Sequence, residues 1–359
     1  MNRNFKISCL APLILLIVFL LSVKTAYSQE TPCVSKLKKA QELFDNGLIE
    51  EIPSMLDSCL KIGFNKEQTI QAYRLLIQVY LFDYNQEKAE NAMLALLSKY
   101  PEYELQTNDP VEFTNLYRQF QTIPLYSFSV NTGLNFTNVS VLEHYSTNNL
   151  HNLNSEYKPG GIKTGIRLSF EKYINTHSWI TLGLGYTYAG YEVEEQMNFD
   201  QELLSFTEKM QQIVVPHYYN YSFGKFKKFT PYAIVGGQFN YLLKSKGEIA
   251  RRSLVETNIS DLSGVEKDIT DSRIRASYSV LAGVGIRYKV NTGYIRANFI
   301  YTKGLTNYIK DDTRYSDKEN LFYYNFIDDK IKLNNFAFTI GYSYIFYKTV
   351  KNTVVPNNN

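Results

Sequence analysis

A chain of 359 residues with a formal net charge of +3 has room for about two domains and too little positive charge to attract nucleic acid. Its mean hydropathy of −0.27 excludes a membrane protein built from apolar helices. Aromatic side chains make up 15% of the residues, with 30 Tyr against one Trp, a composition that suits an exported chain meeting a membrane along strands.

The N-terminus is basic, Asn2-Arg3-Asn4-Phe5-Lys6, and an apolar run from Leu10 to Val23 follows it. Ala26-Tyr27-Ser28 then places small residues at a cleavage site. This order predicts a secretory signal peptide over residues 1–28, since the run is short for a membrane helix; an uncleaved anchor is the alternative. Cys9 precedes the apolar stretch, where a lipoprotein cysteine would follow it. Of the 3 Cys, Cys33 and Cys59 survive cleavage and would meet an oxidising periplasm.

Residues 29–121 are predicted to form a helical domain, because their apolar period lies between three and four. Leu37, Ala40, Leu43 and Phe44 make one stripe and Ile52, Leu56, Cys59 and Leu60 the next, with Gly47 between the two helices. A third helix is expected from Lys66 to about Phe82 and a fourth from Gln86 to Tyr100, stopped by Pro101. Asp109-Pro110 should start a fifth, with Asp109 as N-cap. Leu76, Tyr80, Ala89 and Pro101 have the mutual spacing of the Leu, Tyr, Ala and Pro positions of a tetratricopeptide repeat, with Asp83-Tyr84-Asn85 as the turn. The segment therefore resembles one such repeat, although Ile77 stands at the motif's Gly position; a small helical bundle is the other reading. In a helical hairpin Cys33 and Cys59 would lie at the same end, which predicts a disulfide against the alternative of two buried thiols. Tyr73, Tyr80 and Tyr117 are the candidate interaction surface.

Past Leu125 the hydrophobic period becomes two, and short turns alternate with long polar loops. That rhythm predicts an antiparallel transmembrane β-barrel over residues 122–349, with 350–359 as a C-terminal tail. About eight strands are expected, near 125–139, 159–172, 178–192, 210–223, 230–245, 273–289, 294–307 and 332–348. The intervening segments 140–158, 193–209, 246–272 and 308–331 read as long loops. In the second strand Ile162, Thr164, Ile166, Leu168 and Phe170 form the lipid face and Lys163, Gly165, Arg167, Ser169 and Glu171 the lumenal one. The same alternation assigns Arg275, Arg287 and Arg296 to the lumen. Lys163, Arg167, Glu171, Arg275, Arg287 and Arg296 are thus the expected polar network of a barrel too narrow for free flow of solutes. A soluble β-sandwich is the competing fold.

Catalytic, metal-binding and cofactor-binding residues are not recognised. His144 and His151 in the first long loop are weak candidates beside loop serines, His177 falls in a turn, and His217 in a strand. The strand pattern over residues 125–348 resembles the small outer-membrane β-barrel proteins of the PorT-like and OmpX-like kind. The resemblance implies a non-enzymatic outer-membrane protein, some of whose relatives are accessories of secretion or envelope assembly. The expected partners are the outer-membrane lipid bilayer and a periplasmic protein bound by the helical domain, with no nucleic acid and no cofactor. A small transporter or channel gated by the N-terminal helices is the first alternative, and a lipid-modifying enzyme the second.

Overall fold

A computed structural model describes residues 32–145, 155–197, 202–224, 228–254, 262–290 and 293–352. The expected signal peptide, His151 and the tail from residue 353 lie outside the described residues. Two compact units are present, one formed by residues up to 96 together with 105–117, the other by 97–104 and everything from 118 onward. No described helix is long and apolar enough to cross a membrane.

The first unit is built from α1 (Pro32–Asp45), α2 (Ile52–Lys61), α3 (Lys66–Phe82), α4 (Gln86–Lys99) and α5 (Val111–Arg118). Gly47, with φ +75°, ends the first helix, a conformation that costs glycine little. Asn65 and Gln68 cap α3 reciprocally: the Asn65 side chain accepts from the Gln68 N–H at 2.9 Å and the Gln68 side chain from the Asn65 N–H at 3.1 Å. Leu37, Ala40, Ile52, Leu56, Ala72 and Leu75 meet at its centre, all fully buried or nearly so. Cys33 and Cys59 are joined by a disulfide with Cα atoms 5.6 Å apart. Asp109 is positioned by Arg74, with which it pairs, and by the Gln106 N–H, which donates to it at 2.7 Å.

The second unit is one antiparallel sheet of eleven strands, against the expected count of about eight. Eight of them close a ring in the order β1 (Phe120–Glu143), β3 (Lys163–Tyr173), β4 (Ser178–Met197), β5 (Glu202–Ser222), β6 (Phe229–Ser253), β9 (Ala276–Val290), β10 (Gly293–Gly304) and β11 (Lys330–Lys351), which pairs back onto β1. The other three are short: β2 (Ser155–Pro159) pairs with β4, while β7 (Leu262–Ser263) and β8 (Lys267–Asp268) pair with β6. Closure satisfies the backbone of every ring strand without leaving an edge.

Outward side chains form an exposed apolar belt. Phe128 and Val130 on β1, Leu168 on β3, Leu182 on β4, Val235 on β6 and Phe338 on β11 are each roughly half exposed. Tyr126, Phe128, Phe170 and Phe346 cluster at its short-turn rim, with Tyr126 stacked on Phe346 at 4.8 Å. An inside-polar, outside-apolar cylinder is the reverse of a soluble sandwich, which would bury its apolar face.

At the long-loop end β4, β5 and β6 rise well beyond this belt, through much of what reads in the sequence as loops 193–209 and 246–272. Here the inner face turns apolar. Tyr191, Leu204, Phe206, Met210 and Ile249 pack against Tyr308, Ile309 and Phe326 from the long segment after β10, which also contains α6 (Lys318–Tyr324). The switch explains the misplaced boundaries: charged residues on the outer face of these extensions give a polar average, while every second residue still points into a core.

Candidate functional site in the barrel lumen

The lumen is filled in layers. Nearest the short turns, Trp179, Tyr173, Tyr218, Tyr232 and Ile300 pack together. The Arg287 guanidinium lies over the rings of Trp179 and Tyr294, at 4.3 and 4.8 Å from their centroids, and donates to the Tyr173 hydroxyl at 3.3 Å. Stacking gives this buried cation an aromatic cradle in place of a carboxylate.

Next to this layer Arg296 crosses the lumen. Its Nε donates to Asn131 Oδ1 at 3.0 Å, and its two terminal nitrogens donate to Glu171 and Ser129. The Ser127 hydroxyl also donates to Glu171, at 2.6 Å. Both partners of the ion pair are buried, so each depends on the other to offset lost hydration.

A second charged layer sits in the extension. Arg273 donates through Nε and Nη2 to Glu208 at 2.9–3.1 Å, and through Nη1 and Nη2 to Asp328 at 2.7 and 3.1 Å. The hydroxyls of Tyr191, Tyr308 and Ser245 also donate to Glu208, the first two at 2.7 and 2.6 Å. Burial alone would raise the Glu208 carboxyl, but the charge and hydrogen bonds of Arg273 outweigh it and hold it below its ordinary value. At Asp328 burial prevails over the same cation, and its carboxyl is raised.

At the long-loop rim Asp329 collects three groups: the Tyr157 hydroxyl at 2.8 Å, the Tyr145 N–H at 2.8 Å and His144 Nδ1 at 3.0 Å. Burial, reinforced by the Asp329 charge, pushes the neighbouring Glu195 carboxyl up to about 7.

Of the residues expected in the lumen, Lys163, Arg167, Glu171, Arg287 and Arg296 face inward, and Glu171 and Arg296 meet. Arg275 does not belong there. Regular pairing of β9 begins only at Ala276, and Arg275 turns out to solvent, 3.0 Å from Asp271. The buried arginine of this segment is Arg273. Alternation within the expected strands does not point to Arg273, Glu208 or Asp328, because all three fall at or beyond the edges of those strands. One signal was present: Leu204, Phe206, Glu208 and Met210 alternate on a single row, which places a lone acid among apolar inward residues.

His144 bonds Asp329 through Nδ1, and His177 bonds its neighbour Thr176 at 3.0 Å. His217 lies on the outer face, bonded to the Tyr278 hydroxyl over Gly237. Among the described residues no group of three metal-ligating side chains is assembled. In the helical unit Tyr73 and Tyr80 share one face of α3 and Tyr117 stands on α5, all three half-buried. The protruding aromatics are instead Phe82 and Tyr84. They border a groove of about 420 Å³ lined also by Phe44, Leu81, Pro110 and Phe113.

A closed antiparallel ring with an apolar exterior and a filled polar interior defines a β-barrel of the bacterial outer-membrane type. The chain belongs to the family described as outer membrane protein beta-barrel domain, whose profile matches residues 119–310, and it resides in the outer-membrane bilayer. No curated protein matches it. Similar solved structures include the outer membrane protein OprG from Pseudomonas aeruginosa, at 13% identity and TM-score 0.36, covering 62% of this chain and 97% of that one. A major outer membrane protein from Thermus thermophilus gives 12% identity and TM-score 0.33, covering 62% and 99%. Ail, the attachment invasion locus protein of Yersinia pestis, gives 13% and 0.24, covering 61% and 98%.

Proposed function

We propose that this is a non-enzymatic outer-membrane protein in which a filled barrel anchors a helical interaction domain in the periplasm, as an accessory of envelope assembly or secretion. The observation that carries the reading is the lumen itself, crossed by two charged layers and, at the long-loop end, by an apolar core. A barrel packed in this way serves as an anchor rather than a path for solutes. The same packing argues against the channel reading.

The working surface is then the helical unit. Residues Leu76 and Ala89 are buried at the positions where a tetratricopeptide-like hairpin packs its two helices, and Asp83-Tyr84-Asn85 makes the turn with Tyr84 at φ +53°. Phe82 and Tyr84 beside the groove suit an apolar segment of a periplasmic protein better than a sugar or an ion. Incorporating a photocrosslinking amino acid at position 84 of the full-length protein in cells tests this. A discrete protein adduct that disappears with Phe82→Glu is expected; absence of any adduct from positions 82, 84 and 111 would sink the proposal.

A further inference from the structure

Between the two charged layers lies a cavity of about 80 Å³, room for a few water-sized occupants at ~10–15 Å³ each. Its lining mixes neutral hydrogen-bonding side chains, including Asn131, Thr187, Gln212, Thr302 and Thr339, with apolar ones such as Val214 and Ala337, and carries one cation, Arg167. Among the described residues no carboxylate lines it. The Nε and Nη2 atoms of Arg167 are buried and have no hydrogen-bond partner among the described residues.

Of the other two arginines of the belt, Arg296 is paired with Glu171, while Arg287, whose Nε also has no partner among the described residues, lies over two aromatic faces and donates to a tyrosine hydroxyl. Arg167 has neither. The barrel is shaped to accept its side chain all the same, because a Cβ on Gly183 or Gly185 would come within 3.1 or 3.2 Å of it. A guanidinium held away from bulk water without an opposite charge is costly enough to demand a counter-charge.

We infer that the cavity beside Arg167 binds one small inorganic anion of the halide class, taken up as the barrel closes. A single monovalent anion balances the charge of Arg167, and the volume excludes bulky organic acids. Donors besides Arg167 are at hand: Thr339 Oγ1 already accepts from Asn298 at 3.1 Å, which leaves its own proton to give. A bridging water between the anion and the otherwise unpartnered Asn335 Oδ1 completes the site.

The full-length protein, refolded from urea into detergent in sodium bromide and crystallised, tests the assignment through the anomalous signal of bromine. One peak within hydrogen-bonding reach of Arg167 is expected, and it should vanish in Arg167→Leu. A wild-type cavity that holds only water, or a peak that persists in Arg167→Leu, overturns the inference. In solution, wild type refolded in chloride should melt at a higher temperature than when refolded in gluconate at equal ionic strength, and Arg167→Leu should not distinguish the two salts. Equal wild-type midpoints also count against the site.

Discussion

Arg296 on β10 and Glu171 on β3 form an ion pair across the lumen, although two strands, β11 and β1, stand between theirs in the ring. The contact therefore braces the barrel through its interior, independently of the ladder hydrogen bonds. Removing one partner leaves the other buried and uncompensated, at about 3–5 kcal/mol. Glu171→Leu should lower the urea midpoint accordingly. Replacing both, Glu171→Leu with Arg296→Met, should recover most of the loss, because two apolar groups in the same space leave no stranded charge. A double variant as unstable as the single one would show that the pair matters for more than charge balance.

The long-loop end should be most stable in mildly acidic solution. Glu208 is held below its ordinary value of 4.5, so its contribution is present above that value and is lost as pH falls through its folded pKa. Glu195 behaves oppositely. Its carboxyl is raised from 4.5 to about 7, so stability is full below 4.5 and declines as pH rises through 7. The raised Asp328 acts in the same direction as Glu195. Ionising Glu195 beside Asp329 should cost on the order of 1–3 kcal/mol after screening. Calorimetric melting of Glu195→Gln should show a smaller decline from pH 5 to 8 than wild type; an unchanged slope would mean that the carboxyl is not buried against Asp329 in solution.

Reduction should act on the helical unit. The Cys33–Cys59 bond closes a loop with a sequence separation of 26, for which chain entropy gives about 3.5 kcal/mol. Far-ultraviolet circular dichroism of the full chain should show the helical signal melting at lower temperature with reductant, and Cys33→Ser with Cys59→Ser should reproduce that shift without reductant. The strand signal should stay where it is.

Much of this architecture is legible in the residues because a bilayer-facing barrel enforces strict alternation: Ile166, Leu168 and Phe170 cannot exchange faces with Arg167, Ser169 and Glu171 by a one-residue slip without exposing charge to lipid. Helix α3 is equally plain, since its capping residue Asn65 and its apolar stripe agree. What stayed hidden lies above the belt. There outward residues meet water instead of lipid, so Glu194, Lys209 and Glu248 on β4, β5 and β6 look like loop residues although their neighbours are buried. The Glu208–Arg273–Asp328 cluster joins positions 65 and 55 residues apart from Arg273, a pairing that local pattern does not encode.

Inward glycines in the belt make room for particular side chains, and Gly285 is the sharpest case. A Cβ there would strike the Tyr232 ring and stand 2.5 Å from Asn298 Oδ1, two groups hydrogen-bonded to each other. Gly285→Ala should therefore cost about 1–3 kcal/mol through overpacking. In a Tyr232→Leu background the same change should cost much less, since the ring it strikes is gone, and the two substitutions should fail to add. Gly47 makes the contrast: nothing lies within 4 Å of its added Cβ, and its φ of +75° alone sets the penalty of Gly47→Ala at roughly 1 kcal/mol. Urea titrations of the four variants separate the two causes, because only the lumenal penalty depends on what stands at position 232.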